Sequence, residues 1–208
     1  MLDAEAVLPY QQSFAMYKQH DAHEYFLFMC EKMNERIELP FEFQVESFVS
    51  CSACDYQISR AEGFLNLSLP LNSGENLVLS DLLAEYFNEE IIDSVCEKCL
   101  NSSSKIEKSL SKHPEVFVIL LQRFDTTGMK NRVLVEIPLE LRTIDETYEL
   151  MAVIDHHGDT CTSGHYTIKC KNDGIWYLFD DEKVTRDIGM DVSFQSECYM
   201  VVFNKVNP

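Results

Sequence analysis

The sequence predicts an α+β fold in which strands outnumber helices. Two helical stretches lie in the first half of the chain, and strand-like runs rich in β-branched and aromatic residues fill the second half. This succession of strands and hairpins after two early helices is typical of the α+β class. The 208 residues suffice for one substantial core or two modest domains.

The first helix is predicted at about residues 21–36. Asp21 is a suitable N-cap residue, and Glu24 follows three positions later as in a capping box. The run from Tyr25 to Cys30 is apolar on all sides, which is typical of a helix buried on several faces. Only about twenty residues precede it. We therefore expect a covering layer from outside this chain, with cover by the downstream sheet alone as the alternative.

The middle of the chain is predicted to contain two strands and a second helix. The strands are expected at residues 41–50 and 57–69, with turn residues at 72–74. Ser80 is expected to cap a helix whose core-facing residues are Leu82, Leu83, Tyr86 and Phe87. Further strands are predicted at residues 104–110, 116–121, 132–137, 148–154 and 199–203.

A hairpin predicted at residues 164–181 carries a candidate catalytic pair. Its two strand-like runs are broken by Asn-Asp-Gly at residues 172–174, and these residue types tolerate the positive φ of tight turns. A turn at the Asn and the Asp places Lys171 opposite the Gly and His165 opposite Asp180, whereas a turn of all three residues shifts the partner to Asp181. Either carboxylate can hold the tautomer of the imidazole. The pair is two-thirds of a nucleophilic triad or an ordinary surface contact.

Two C-x-x-C pairs indicate a metal site. Cys51 and Cys54 are separated from Cys96 and Cys99 by 41 residues. Each pair can bind one side of a tetrahedral Zn²⁺ ion, and four sulfur ligands leave no open position for water, so we expect structural zinc. A redox pair and four free thiols are the alternatives.

The other cysteines have different expected roles. Cys30, Cys170 and Cys198 lie within predicted elements and are expected to pack in the core. Cys161 lies in a polar loop just ahead of His165. Because four residues along one strand is a poor geometry for attack, Cys161 is not expected to be a nucleophile.

Charge and composition exclude several classes of partner. The net charge of −18 argues against nucleic acid and anionic membranes and favours a partner with a basic face. No apolar run approaches the ~20 residues of a membrane span, and the opening MLDAEAVL is acidic where a signal peptide is basic. Eight cysteines without such a signal indicate a reducing compartment, either the cytoplasm or the nucleus.

Four segments in this order resemble the ubiquitin-specific proteases, papain-like cysteine deubiquitinases shaped like a hand. YKQHDAHEYF is similar to the family's QQDAHEF helix start, and the C-x-x-C pairs resemble its fingertip zinc knuckles. VFVILLQRFD resembles a strand ending in LKRF, and YELMAVIDHHG…SGHYTIKCK…WYLFDDEKV resembles the histidine box. The resemblance implies a thumb remnant at residues 1–38, zinc-bearing fingers at 39–113 with a palm helix at 80–92, and a β-rich palm at 114–208.

The resemblance also implies roles for the residues of the hairpin. His165 would be the general base, Asp180 the third member of the triad, and Asp181 its polar neighbour. Gly164 and Tyr166 would border the channel for the terminal Gly-Gly of ubiquitin. The segment 155–163 would form a blocking loop over that tail.

Ubiquitin and ubiquitinated proteins are the implied partners. Asp21 and Glu24 would meet the arginines of ubiquitin's C-terminal tail, because carboxylates pair bidentately with arginine. The family's nucleophile lies in a cysteine box upstream of the QQDAHE helix, together with an oxyanion-hole asparagine. Neither has a match in this chain, and His20 replaces the family's second glutamine.

We therefore expect a fragment of a deubiquitinase catalytic domain. The intact protein would remove ubiquitin by thiol isopeptide hydrolysis, while this chain alone would not. One alternative is a catalytically inactive relative that binds ubiquitin or acts as a scaffold. Another is a zinc-ribbon interaction protein unrelated to ubiquitin.

Overall fold

The computed structural model describes residues 20–34, 37–71, 74, 76–189 and 195–206. The predicted α+β class is confirmed, since these residues form two helices and fourteen strands. The elements are α1 (Ala22–Asn34), β1 (Phe43–Cys51), β2 (Gln57–Phe64), β3 (Leu67–Pro70), β4 (Asn76–Val78), α2 (Leu79–Phe87), β5 (Glu90–Asp93), β6 (Ser103–Lys112), β7 (Val116–Gln122), β8 (Leu134–Glu136), β9 (Glu140–Arg142), β10 (Thr147–Thr160), β11 (Ser163–Asn172), β12 (Ile175–Asp180), β13 (Lys183–Arg186) and β14 (Cys198–Lys205). Neither helix is long and apolar enough to cross a bilayer.

The described strands form three sheets. A small antiparallel sheet has the order β2-β1-β6-β5. A large sheet has the order β13-β12-β11-β10-β14-β7-β3, with β9 also paired to β10. The short strands β4 and β8 pair with each other in parallel. The predicted finger and palm boundaries stay a prediction, although β3 lies within the finger range and pairs with β7 of the large sheet.

The strand β7 lies at the centre of the core because both of its faces are covered. Its run of apolar residues is buried almost throughout, as in strands sandwiched between two layers. One face, with Phe117 and Leu121, packs in the main cluster together with Leu82 and Leu83 of α2. The opposite face packs in a second cluster that includes Phe26 of α1. The two helices therefore cover opposite faces of the large sheet.

The helix α1 starts as predicted, and its described residues are only partly buried. The backbone N–H groups of His23 and Glu24 donate to Asp21 Oδ1 at 2.7 and 3.1 Å, which confirms the N-cap. Among the described residues of α1 only Cys30 is fully buried, and Leu27 is 36% exposed. This incomplete burial agrees with the expectation that part of the cover of α1 comes from outside this chain, and that expectation stays a prediction. Residues 1–19 and 35–36, which complete the predicted thumb remnant and helix, lie outside them.

The strand predicted at residues 57–69 is in fact two strands. The chain bends at Leu65 and Asn66, so that β2 joins the small sheet and β3 the large one. Asn66 donates to Ser68 Oγ at 3.1 Å and contacts His23 Nε2 at 3.0 Å. These contacts fix the bend against the start of α1, and a local strand pattern does not reveal them.

The start of α2 also differs from its prediction. The helix begins at Leu79, and its N-cap Val78 makes no side-chain cap hydrogen bond, so the predicted cap at Ser80 is wrong. Val78 is the last residue of β4 and pairs with Glu136 of β8. This pairing holds the chain extended up to the residue at which the helix begins. The predicted core-facing residues of the helix are confirmed.

Arg123 joins two other segments of the chain, residues 131–133 and 195–198, from inside the core. Its side chain is fully buried, and its Nε donates to Cys198 O. Nη1 donates to Asn131 O at 3.0 Å and Val133 O at 2.9 Å, and Nη2 donates to Gln195 O at 3.0 Å. Burial lowers the pKa of Arg123, but four of its five N–H groups donate to carbonyl oxygens.

Replacing Arg123 with lysine should destabilise the fold strongly. A lysine keeps the charge but lacks the planar set of donors that reaches carbonyls on both segments. Buried acceptors would therefore be left unpaired. We expect the free energy of unfolding to fall by about 2–4 kcal/mol in urea titrations. Arg142→Lys, at a side chain that is 76% exposed, is the matched control and should change it by less than about 0.5 kcal/mol. Equal values for the two variants would contradict the interpretation.

Candidate active site

The hairpin of β11 and β12 has a different register from the predicted one. Asn172 pairs with Ile175, so the two turn residues are Asp173 and Gly174. Their φ angles are 48° and 78°, and both central residues of a type I′ turn need positive φ. The prediction that Lys171 faces the glycine is therefore wrong. The turn lies one residue later in the sequence.

The predicted contact between His165 and Asp180 is nevertheless present. His165 Nε2 lies 2.6 Å from Asp180 Oδ1. The pairing of β11 with β12 runs only from Asn172 to Ile168, so the imidazole reaches its carboxylate diagonally. The two side chains are 42% and 45% exposed, which leaves the ring accessible. With Nε2 held by the carboxylate, Nδ1 is left for a second partner.

Asp181 lies beside this pair in the turn that follows β12. Its φ is 50°, a conformation that aspartate tolerates better than most residues. One carboxylate oxygen of Asp181, one of Asp180 and a ring nitrogen of His165 lie within 4.8 Å of one another. Asp181 is therefore a polar neighbour of the pair, as the resemblance implied, and is exposed to solvent.

His157 is a second histidine at the site, and it was not among the predicted site residues. It pairs with His165 across β10 and β11, and the two rings lie 6.3 Å apart with an interplanar angle of 28°. His157 Nε2 contacts Oγ1 of the buried Thr167 at 2.9 Å, which fixes the ring. His165 and Thr167 are two positions apart in β11, and alternate residues of a strand point to the same face of a sheet. This spacing could have placed the two side chains on one face.

The segment predicted as a blocking loop is mostly strand. β10 runs to Thr160 and β11 begins at Ser163, so residues 155–163 form a hairpin. A Cβ on Gly164 would lie 2.5 Å from both His156 Nε2 and His157 O, so the glycine allows a close approach of the two strands. His156 is fully buried, and burial together with the nearby Lys130 lowers its pKa. The predicted loop is replaced by a packed ribbon next to His165.

A cluster of charged residues holds this ribbon against the rest of the sheet. Glu197 accepts from Lys130 Nζ at 2.5 Å and from Arg132 Nη1 at 2.5 Å. Arg132 also donates to Asp159 at 2.6 Å, and Lys130 Nζ reaches His156 O. Because Lys130 is fully buried, burial lowers its pKa, which the contact with Glu197 opposes. These residues come from three separate segments, and no local motif indicated them.

The start of α1 is joined to the same region through Asp21. The hydroxyl of Tyr199 donates to Asp21 Oδ2 at 2.7 Å, while Oδ1 caps the helix. Burial and this carboxylate raise the pKa of Tyr199. Tyr166 packs on Tyr199 with ring centroids 6.0 Å apart, so its ring belongs to this cluster. Glu24, the other predicted tail-binding acid, is exposed to solvent.

The four cysteines of the C-x-x-C pairs come together as predicted. Cys51 and Cys99 have Sγ atoms 3.6 Å apart, those of Cys54 and Cys96 are 3.7 Å apart, and all four lie within 4.8 Å. A tetrahedral ion with four Zn–S bonds of ~2.3 Å would separate its ligands by about 3.8 Å. The Ala53 N–H, donating at 3.4 Å, lowers the pKa of Cys51 to about 6. The cluster therefore fits a metal such as zinc.

The remaining cysteines mostly pack as expected. Cys30 and Cys198 are fully buried, and Cys170 is half-buried within β11. Cys161 is half-buried at the turn between β10 and β11, and a Cβ on Gly128 would lie 2.8 Å from its Sγ. The thiol of Cys161 thus packs against the neighbouring loop.

A comparison with protein families identifies the chain. A family model described as ubiquitin carboxyl-terminal hydrolase matches residues 5–203. The chain belongs to this family. The resemblance to ubiquitin-specific proteases inferred from four sequence segments is thereby confirmed.

Related sequences cover most of this chain but extend well beyond it. Ubiquitin carboxyl-terminal hydrolase 21 of Rattus norvegicus is 28% identical over 176 residues, 74% of this chain and 31% of the relative. Ubiquitin carboxyl-terminal hydrolase 2 of Homo sapiens is 29% identical over 199 residues, 86% of this chain and 33% of the relative. The chain thus spans about a third of the length of these curated relatives.

Solved structures of the family share the fold. A SAGA DUB module of Ubp8, Sgf11, Sus1 and Sgf73 bound to monoubiquitin contains a chain that matches with a TM-score of 0.81 and 25% identity, over 97% of this chain and 52% of that one. The SAGA Ubp8/Sgf11/Sus1/Sgf73 DUB module bound to ubiquitin aldehyde matches with a TM-score of 0.79 and 25% identity over the same shares. The predicted ubiquitin-specific protease fold is therefore confirmed.

Replacing Gly164 with alanine should distort the ribbon that carries His165. The new methyl group would meet the backbone oxygen of His157 at 2.5 Å, which a rotamer change cannot relieve. We expect the free energy of unfolding to fall by about 1–3 kcal/mol, with shifted NMR signals for the His165 ring. Gly63→Ala, where the nearest atom lies 4.0 Å away, is the control. Unchanged stability and ring signals in Gly164→Ala would contradict the close approach.

Proposed function

We propose that this chain forms part of a deubiquitinase catalytic domain and supplies the base of its triad. In the intact protein, the site would remove ubiquitin by thiol-dependent hydrolysis of isopeptide bonds. The observation that carries the proposal is the contact of His165 Nε2 with Asp180 Oδ1 at 2.6 Å. Membership of the ubiquitin carboxyl-terminal hydrolase family supports it.

The contact of His165 with Asp180 supports a separate task for each nitrogen of the imidazole. Asp180 holds Nε2, so that Nδ1 is free to take the proton of a thiol and generate the nucleophilic thiolate. The carboxylate then stabilises the imidazolium, which returns the proton to the leaving amine. Asp181 adds negative charge close to the pair. His157, stacked beside His165, limits the movement of the ring.

The thiolate itself is proposed to come from a segment of the intact protein outside this chain. Four of the eight cysteines form the metal cluster, and Cys30 and Cys198 are buried away from solvent. Cys170 lies within β11, and the Sγ of Cys161 packs against Gly128. This placement of the thiols also favours the alternative, a catalytically inactive protein that binds ubiquitin or acts as a scaffold.

Ubiquitin is the proposed partner, with its C-terminal tail beside α1 and the ribbon. Glu24 is exposed and is free of the capping role that Asp21 performs, so it is the better candidate to pair with an arginine of the tail. The net charge of −18 suits a basic partner. A further segment or partner is proposed to cover the exposed Leu27 side of α1.

The four-cysteine cluster is proposed to hold one structural Zn²⁺ ion. Cys51 and Cys54 lie at the turn between β1 and β2, while Cys96 and Cys99 lie between β5 and β6. The ion would therefore connect two turns at one end of the small sheet and supply stability rather than chemistry. Eight unpaired cysteines suit a reducing compartment, and we propose the cytoplasm or the nucleus.

Replacing His165 with alanine in the intact protein should remove most of the activity. General acid–base catalysis contributes about 10²–10⁴-fold, and we expect a loss of that order in kcat with a fluorogenic ubiquitin substrate. Asp180→Asn should lose less, at least about ten-fold, because an amide still orients the ring without stabilising the imidazolium. His113→Ala removes a histidine that lies 3.8 Å from Asp145 and is the control.

Three outcomes would test these assignments. If the intact protein cleaves ubiquitin conjugates and its His165→Ala variant is equally active, the assignment of His165 as the base would be overturned. Binding of ubiquitin without any cleavage by the intact protein would favour the inactive alternative. Covalent labelling of this chain alone at Cys161 by ubiquitin with a C-terminal electrophile would contradict an external nucleophile.

Metal analysis of the purified chain should find about one zinc per molecule. Chelation, or the substitution Cys99→Ser, should release the ion and expose the turns of the small sheet. The midpoint of thermal unfolding should therefore fall. Cys170→Ser, at a half-buried thiol outside the cluster, should keep the zinc. Equal zinc contents in the two variants would contradict the assignment.

A further inference from the structure

The strand β2 presents an unusually long free edge. It pairs with β1 on one side, and no described strand pairs with its other side. β2 has eight residues, of which the first seven are exposed, whereas the edge strands β3, β5 and β13 have four residues each. An unprotected edge of this length can pair with another strand.

The backbone groups that face outward from β2 belong to alternate residues. The Cys51 N–H donates to Tyr56 O at 3.0 Å, which marks a hydrogen-bonded pair at the end of the hairpin. Hydrogen-bonded and non-hydrogen-bonded pairs alternate along an antiparallel ladder, and the register of β1 and β2 has no shift. Even-numbered residues from 58 to 64 therefore bond to β1. Odd-numbered residues from 57 to 63 point their N–H and C=O groups away from the sheet.

A second copy of β2 in antiparallel orientation can pair with these outward groups. When Ala61 of the two copies meet on a two-fold axis, Arg60 lies opposite Glu62 of the second copy, and Ile58 lies opposite Phe64. Both are non-hydrogen-bonded pairs, in which side chains approach each other most closely. The free edge is therefore complementary to itself in charge and in hydrophobicity.

The order of charges selects this register over its neighbours. Sliding one copy by two residues in either direction places Arg60 opposite Arg60 or Glu62 opposite Glu62. Like charges directly opposite each other destabilise a strand pair. A slide by one residue would place the outward N–H and C=O groups of one copy opposite even-numbered residues of the other copy. The backbone groups of those residues already bond to β1. The register centred on Ala61 satisfies both requirements.

We propose that β2 is a self-association edge through which two copies of this chain pair about Ala61. The pairing continues the small four-stranded sheet into one sheet of eight strands. The partner strand is assigned to a second copy of this chain because the residues of β2 on the two sides of Ala61 complement each other. Binding to an unrelated strand would not require this self-complementarity. Arg60 and Glu62 already lie 4.0 Å apart within one chain, so that the dimer brings four charges of alternating sign together.

The charged residues on this edge define its specificity. Charges on an edge strand usually prevent pairing with other chains. Here, Arg60 and Glu62 carry opposite charges two positions apart. They favour the register centred on Ala61 and disfavour the neighbouring registers, in which like charges meet. A single pair of strands buries less than the ~1,200 Å² of stable complexes, so the association is expected to be weak and dependent on concentration.

Sedimentation equilibrium of the metal-loaded chain tests the proposal. The experiment is done at about 0.15 M salt, at which the repulsion between the net charges of two copies is screened beyond about 8 Å. The average mass should rise from 24.1 kDa towards twice that value between micromolar and millimolar protein concentrations. Arg60→Glu and Glu62→Arg each place like charges opposite each other and should remain monomers. The double variant Arg60→Glu/Glu62→Arg restores opposite charges and should associate like the original chain.

Two further variants separate edge pairing from general effects. Ala61→Pro removes an outward N–H on the axis without removing a bond to β1, and it should be a monomer with unchanged metal content. Arg142→Glu changes the net charge as much as Arg60→Glu does at a distant exposed site, and it should associate normally. A mass of 24.1 kDa at every concentration, unchanged association of Ala61→Pro, or failure of the double variant to restore pairing would overturn the proposal.

Discussion

The position of the contact between His165 and Asp180 depends on the burial of β7 on both faces. α2 and α1 cover its two faces, and β14 pairs with β7 inside this core. β10 pairs with β14, β11 with β10, and β12 with β11, so each strand is placed by a more deeply buried one. Arg123 and Glu197 join the segments before β8 and before β14 to this centre, and Lys130 joins them to β10 through His156 O. The exposed pair His165 and Asp180 is therefore supported by a rigid interior.

The chemistry of the site could be predicted from the sequence more reliably than its geometry. Residue types and spacing were sufficient to pair His165 with Asp180 and to gather the four cysteines. The register was wrong because the turn uses Asp173 and Gly174, and only their φ angles distinguish it from the turn one residue earlier. The contact survived because an imidazole and a carboxylate can meet diagonally across two strands.

Features that depend on distant residues could not be predicted. The bend at Asn66 is fixed by His23, and the ribbon is held by ion pairs between segments far apart in sequence, so no local period marks either one. The apolar pattern of α1 indicates a helix with several apolar faces, but such a pattern does not identify the residues that cover those faces. The strands β4 and β9, of three residues each, are too short to show a period.

The small sheet is anchored to the core at one end only. Phe43 and Val45 of β1 belong to the main cluster, whereas Phe48 is 45% exposed and the cysteine turns lie beyond it. Local opening free energies follow the density of buried contacts. Amide hydrogen exchange along β1 and β6 should therefore divide into a slow half near the core and a fast half near the cysteines. Occupancy of the metal cluster would set the rate in the fast half alone, so the outer part of the sheet can loosen as its own cooperative unit.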